Sequence, residues 1–115
     1  MSGPEITITP ATGTWSIRGQ GAVLGETTRA LILKEGELPP VIYVPRSDVV
    51  MAFFDASEKR TTCPWKGEAS YFHLAGKSRR QDNVAWSYET PQDPVSAIAG
   101  HLAFYTDEVT VEEVS

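Results

Sequence analysis

The chain has 115 residues, 41% of them hydrophobic and 22% charged, a composition that fits one globular domain and excludes a disordered or fibrous chain. Its net charge of −5 weighs against nucleic-acid binding as the main task. No apolar run reaches the roughly 18 residues of a membrane span, and Met1-Ser2-Gly3-Pro4-Glu5 has neither the basic nor the apolar region of a secretory signal. The single cysteine, Cys63, forbids an internal disulfide. Neither His73 nor His101 stands at zinc-ligand spacing from it. The expectation is a cytoplasmic domain without metal or cofactor, acting neither on nucleic acid nor on a membrane.

Val, Ile and Thr supply 27 of the 115 residues. Such side chains are stiff at χ1 and pack well on a pleated surface, so the chain reads as mainly β, with antiparallel strands. Residues 5–9 alternate and form a first short strand, stopped by Pro10. Residues 1–12 are thus expected as an N-terminal extension carrying that strand, and residues 13–115 as a single β-rich domain. Trp15 and Ile17 share one face of residues 14–19; Gly19-Gln20-Gly21 turns the chain, and residues 22–26 return as the hairpin partner. Leu31-Ile32-Leu33 is apolar on both faces, as in a strand covered from two sides or a buried helical turn. Pro39 and Pro40 lack the donors a ladder needs and mark a loop. A short strand follows at residues 41–44, and Arg46-Ser47-Asp48 starts a helical turn. Residues 55–62 read as a polar loop. Residues 68–74 and 80–88 read as a long hairpin, with Tyr71 and His73 on one face and Trp86 and Tyr88 sharing a face of the return strand. Val95, Ile98, Ala99 and Leu102 follow a helical stripe, predicting one short helix near residues 94–103. A last strand with one polar face closes the chain near residues 109–113.

Charge is uneven along the chain. Residues 59–80 contain Lys59, Arg60, Lys66, Lys77, Arg79 and Arg80 against Glu68 alone. This is a solvated hairpin with charged tips, or a local positive potential that draws an anion to a nearby site. In the same stretch Pro64 and Gly67 restrain and bend the segment that carries Cys63, Trp65 and Lys66.

The ordered motifs Leu38-Pro39-Pro40-Val41-Ile42-Tyr43-Val44-Pro45-Arg46-Ser47-Asp48-Val49, Cys63-Pro64-Trp65-Lys66-Gly67, Ala69-Ser70-Tyr71, Ala85-Trp86-Ser87-Tyr88, Ile98-Ala99-Gly100 and Phe104-Tyr105 resemble the bacterial family called domain of unknown function 427, over roughly residues 13–112. The resemblance implies a compact, mostly β domain similar to the β-tent fold, which cereblon's ligand-binding domain and methionine sulfoxide reductase B share. Some names for the family call it nucleotidyltransferase-like, but this sequence lacks the Gly-Ser and paired-carboxylate pattern for magnesium and a triphosphate. It also lacks the paired Cys-x-x-Cys knuckles of many β-tent relatives.

Three function classes follow. In the first, a pocket takes a small organic ligand: Arg46 and Lys66 meet its anionic part, and Trp65, Tyr71, Trp86 and Tyr88 its apolar body, with Tyr105 nearby in the same wall. Arg46 alternatively pairs structurally with Asp48 or Glu68. In the second, the chain is an enzyme with Cys63 or Lys66 as its reactive group, against which Cys63 reads as a small buried hydrophobe. In the third, the exposed hairpin tip at 76–82 docks a partner. His73 reads as a structural histidine, and His101 as a group near helix-terminal carbonyls. The sequence leaves the oligomeric state open, a homo-oligomer included.

Overall fold

The computed structural model describes residues 4–76 and 79–115. Lys77 and Ser78, part of the hairpin tip read as a partner surface, lie outside the described residues. Strands β1 (Ile6–Pro10), β4 (Leu31–Glu35) and β5 (Val41–Tyr43) form one antiparallel sheet in the order β1-β4-β5. Strands β2 (Trp15–Gly19), β3 (Ala22–Thr27) and β10 (Thr110–Glu113) form a second, ordered β10-β2-β3. Strands β6 (Phe54–Cys63), β7 (Gly67–Ala75), β8 (Arg80–Tyr88) and β9 (Ala103–Phe104) form a third, in chain order. The segment read as an extension therefore contributes β1, paired with β4 from Ile6↔Glu35 to Pro10↔Leu31.

The four-stranded sheet is the central layer, and its strands β7 and β8 are covered on both faces over most of their length. On one side Leu74, Val84 and Ala85 pack with Ile17 and Leu24 of the second sheet. On the other, Ala69, Tyr71 and Tyr88 pack with Leu33 and Tyr43 of the first sheet. Alternation along a strand is what feeds two cores from one sheet. Two isolated bridges tie the layers together, Gly25 to Val49 and Val44 to Leu102.

Residues 55–62, expected as a polar loop, are instead the body of β6. They pair with β7 from Phe54↔Leu74 to Cys63↔Gly67, with a bulge between Ala56 and Arg60. β6 is the free edge of its sheet, and most of its side chains are exposed. An edge strand solvated on both sides needs no apolar alternation, and charges on it block pairing with other chains. The apolar period that identifies a strand in sequence is therefore missing by physical necessity.

The helical segment, Asp93–Ile98, is two short 3-10 turns joined across a kink at Val95, with Pro94 in the first. It buries Val95 and Ile98, while Ala99 is exposed. Val95, at φ −119° and ψ 22°, kinks the backbone there, so no regular α-helical stripe running on to Ala99 forms. The helix ends before Leu102, which pairs with Val44, and Ala103 and Phe104 form β9. Shorter 3-10 turns occupy Arg46–Asp48 and Met51–Phe53.

Gly25 sits where β3 meets the Arg46–Asp48 turn. A Cβ there would stand 2.7 Å from the Asp48 carbonyl oxygen and 3.2 Å from the Val49 Cα. Both are backbone atoms and cannot swing aside. Gly25→Ala should lower stability by about 1–3 kcal/mol through overpacking, read as a lower urea midpoint with an unchanged denaturant slope.

Candidate functional site

Three strands turn aromatic side chains toward one space between the first sheet and the central layer. β8 supplies Trp86 and Tyr88, β7 supplies Tyr71, and β5 supplies Tyr43 and Val41. Tyr105, just after β9, closes one side, and Glu35 and Lys66 close another. The cavity, open to solvent on one side, measures about 290 Å³. Positions 86 and 88 share a face, as do 41 and 43, because strand side chains repeat every second residue. Tyr71 stands directly opposite Trp86 in the β7–β8 register.

Lys66 reaches the cavity through a three-residue turn. Cys63 pairs with Gly67, leaving Pro64, Trp65 and Lys66 to reverse the chain between β6 and β7. The Lys66 amide donates to the Cys63 carbonyl at 3.2 Å, and Gly67 adopts a φ of +116°, closed to other residues at low cost. The Lys66 carbonyl accepts from the Gln92 amide at 2.9 Å, tying the turn to the segment before the 3-10 helix. The Lys66 ammonium forms an ion pair with Glu35, with both side chains largely buried at 12% and 13% exposure. It also lies 6.0 Å from the centre of the Tyr88 ring. The pair brings no net charge to the cavity wall.

The tyrosines supply hydroxyl donors. Tyr43 accepts from Trp86 Nε1 at 3.2 Å, and the two rings meet edge to face at 6.5 Å. The Tyr71 and Thr61 hydroxyls share a 2.8 Å hydrogen bond. Burial pushes the Tyr43 hydroxyl from 10.0 up to about 12, and burial likewise raises that of Tyr88. Tyr105 is raised by burial first and then by the neighbouring Tyr71. These phenols stay protonated at physiological pH and remain donors rather than charges.

Of the residues singled out from sequence, Lys66, Tyr71, Trp86 and Tyr88 line this one cavity, together with Tyr105. Arg46 and Trp65 do not. Arg46 forms an ion pair with Glu89 and lies 5.4 Å from the Phe72 ring centre. Phe72 and Glu89 neighbour Tyr71 and Tyr88 in sequence, so strand alternation puts them on the opposite face of the central sheet, and Arg46 with them. The partners expected for Arg46 are also corrected. Asp48 is held instead by Arg29 at 3.1 Å and by the Thr27 hydroxyl at 2.7 Å. Trp65 is 41% exposed at the tip of the turn, where its neighbour Lys66 takes the inward position. Glu35 and Tyr43 were not singled out. The available signal is the position of Glu35 two residues from Leu33, on a run that reads as covered from two sides, and of Tyr43 two residues from Val41, on the short strand at 41–44.

Cys63 is half-buried and packs at the margin of the second core. The two histidines are engaged elsewhere. His73 Nδ1 accepts the Asn83 amide at 3.0 Å and lies 3.4 Å from Asp82, while His101 Nδ1 lies 3.1 Å from the Ala99 carbonyl. Among the described residues no group of three or more His, Cys, Asp or Glu is placed to hold a metal ion, and no helix is long and apolar enough to cross a membrane.

Two outcomes follow from this geometry. Cys63→Ser should cost no more than about 1–2 kcal/mol, the scale for a hydroxyl placed at a half-apolar position, and should leave the fold intact by urea denaturation. Stability should also fall in alkali. The unfolded chain releases the Tyr43 proton near 10.0 and the folded chain only near 12, so the contribution is complete below pH 10 and is lost as pH rises through 12. Full ionisation costs about 3 kcal/mol, and Tyr43→Phe should flatten that decline when urea midpoints are compared across the alkaline range.

A comparison with curated proteins finds no match to this chain. The family model described as domain of unknown function (DUF427) matches residues 7–115, from within β1 to the last residue, and so takes in every element that builds the cavity. The chain belongs to the domain of unknown function 427 family.

Proposed function

We propose that this domain binds a small, flat organic molecule rich in hydrogen-bond acceptors, held in the cavity between β5, β7 and β8. The observation that carries the reading is the convergence of Tyr43, Tyr71, Trp86, Tyr88 and Tyr105 on one space of about 290 Å³. Concave, mostly apolar cavities with a few convergent polar groups are the usual form of small-molecule sites. Aromatic walls favour a planar ligand body, and the buried phenols, kept protonated, favour carbonyl or carboxylate oxygens.

The pairing of Lys66 with Glu35 bears on the ligand's charge. From sequence alone, Lys66 is expected to meet an anionic group. With the ammonium already neutralised by Glu35, an anion gains little over a neutral molecule of the same shape. Lys59, 4.6 Å from the Tyr71 ring centre, is exposed and attracts only through solvent. A neutral, acceptor-bearing ring is therefore the favoured ligand.

Benzamide and benzoate test this directly. Both should quench tryptophan fluorescence, with dissociation constants of about 1 mM, as fits ligands of this size, and within about threefold of each other. Trp86→Ala should abolish binding. Glu35→Gln frees the Lys66 charge and should shift preference toward benzoate by about tenfold, the effect of one unpaired, partly buried ammonium. Absence of binding by either compound, or binding unaffected by Trp86→Ala, would defeat the proposal.

A further inference from the structure

The cavity does not end at Trp86 and Tyr105. A second space of about 520 Å³ adjoins it and shares Leu38, Pro39, Val41, Trp86 and Tyr105 with it. The opening has a cause in the strand pairing. β5 and β9 lead into the Val44–Leu102 bridge, where each amide donates to the other's carbonyl at 2.8 Å. Continued antiparallel pairing would set Ile42 against Phe104 and Val41 against Tyr105. Among the described residues the pairing stops at the bridge, and these four side chains line the second space instead.

The two compartments differ in chemistry. The first holds the Glu35–Lys66 pair and the phenols. The second is lined mainly by apolar side chains, with Thr106 and the Tyr105 hydroxyl among its polar groups, and Ile42, Phe104 and Val111 line it but not the first. Its rim leaves Leu38 58% and Tyr105 40% exposed, large apolar surfaces that gain by being covered.

We infer that the ligand is two-part, with a flat acceptor-bearing head in the tyrosine cavity and an extended apolar tail passing Trp86 and Tyr105 into the groove along Ile42, Phe104 and Val111. This rests on the head-site reading above and adds the class of molecule: an aryl or acyl head carrying an alkyl chain. Continuity of the two spaces through five shared residues makes one ligand the occupant of both.

The test is a chain-length series of benzamide, 4-propylbenzamide and 4-hexylbenzamide, measured by calorimetry on the wild-type protein. Each methylene that enters the groove should tighten binding about fourfold. Thr106→Trp, at an exposed position, should block the groove and remove most of the gain for the hexyl compound while leaving benzamide unchanged. Val111→Asn should act in the same direction. Affinity that stays flat along the series while benzamide binds overturns the tail and spares the head site. A hexyl gain undiminished in both variants also overturns it. Failure of benzamide and its alkyl derivatives alike overturns the head site, and the tail with it.

Discussion

Strands β7 and β8 are covered on both faces, and this constraint governs the rest of the molecule. Along Ala69–Leu74 and Val84–Tyr88 a side chain does not turn freely to solvent as it would in a one-sided sheet; only Glu68, Arg80 and Asp82, toward the strand ends, are exposed. Trp86 and Tyr88 enter the second core and its cavity, while Ala85 enters the first. Tyr71 and Leu74 stand an odd number of positions apart, so alternation sends them to opposite cores, while the register shift between Phe72 and Leu74 is taken up on β8 between Gln81 and Ala85, where Asn83 has a φ of 53°. The cavity exists because the second core is filled by tyrosines, whose rings pack but whose hydroxyls need polar space.

The Glu35–Lys66 pair shows how that polar space is kept tolerable. An unpaired ammonium at 12% exposure would carry a desolvation cost of several kcal/mol. Pairing offsets most of it. The pair also joins β4 of the first sheet to the β6–β7 turn of the central layer, with the Gln92 amide securing the same turn from a third direction. The wall that a ligand would meet is therefore held by contacts from three separate segments, which keeps it formed before anything binds and lowers the ordering cost of binding.

The two faces of β8 also separate two kinds of arginine and lysine chemistry. Arg46 braces the outer side of the sheet through Glu89 and the Phe72 ring. Lys66 serves the inner side. Both follow a proline by one or two residues, and both stand in short turns, so local sequence gives them equal standing as anion anchors. Only the strand parity of their partners distinguishes them.

Much of the fold was legible in the residues themselves. The β-branched composition, the turn at Gly19-Gln20-Gly21 and the paired runs at 68–74 and 80–88 determine hairpins because they act over short distances, through φ preferences and period-two alternation. The same alternation grouped Trp86 with Tyr88 correctly. What lay beyond the sequence was decided by pairing between distant segments. β6 is a strand only because β7 lies beside it, since its own side chains carry no apolar period. Arg46 and Trp65 leave the site, and Glu35 and Tyr43 join it, because which face a side chain takes in a turn or a two-sided strand depends on the layer packed against it. The residue types in the cavity wall were fixed by the chain; their convergence on one space was fixed by how three sheets stack, a long-range packing outcome that no local window of sequence contains.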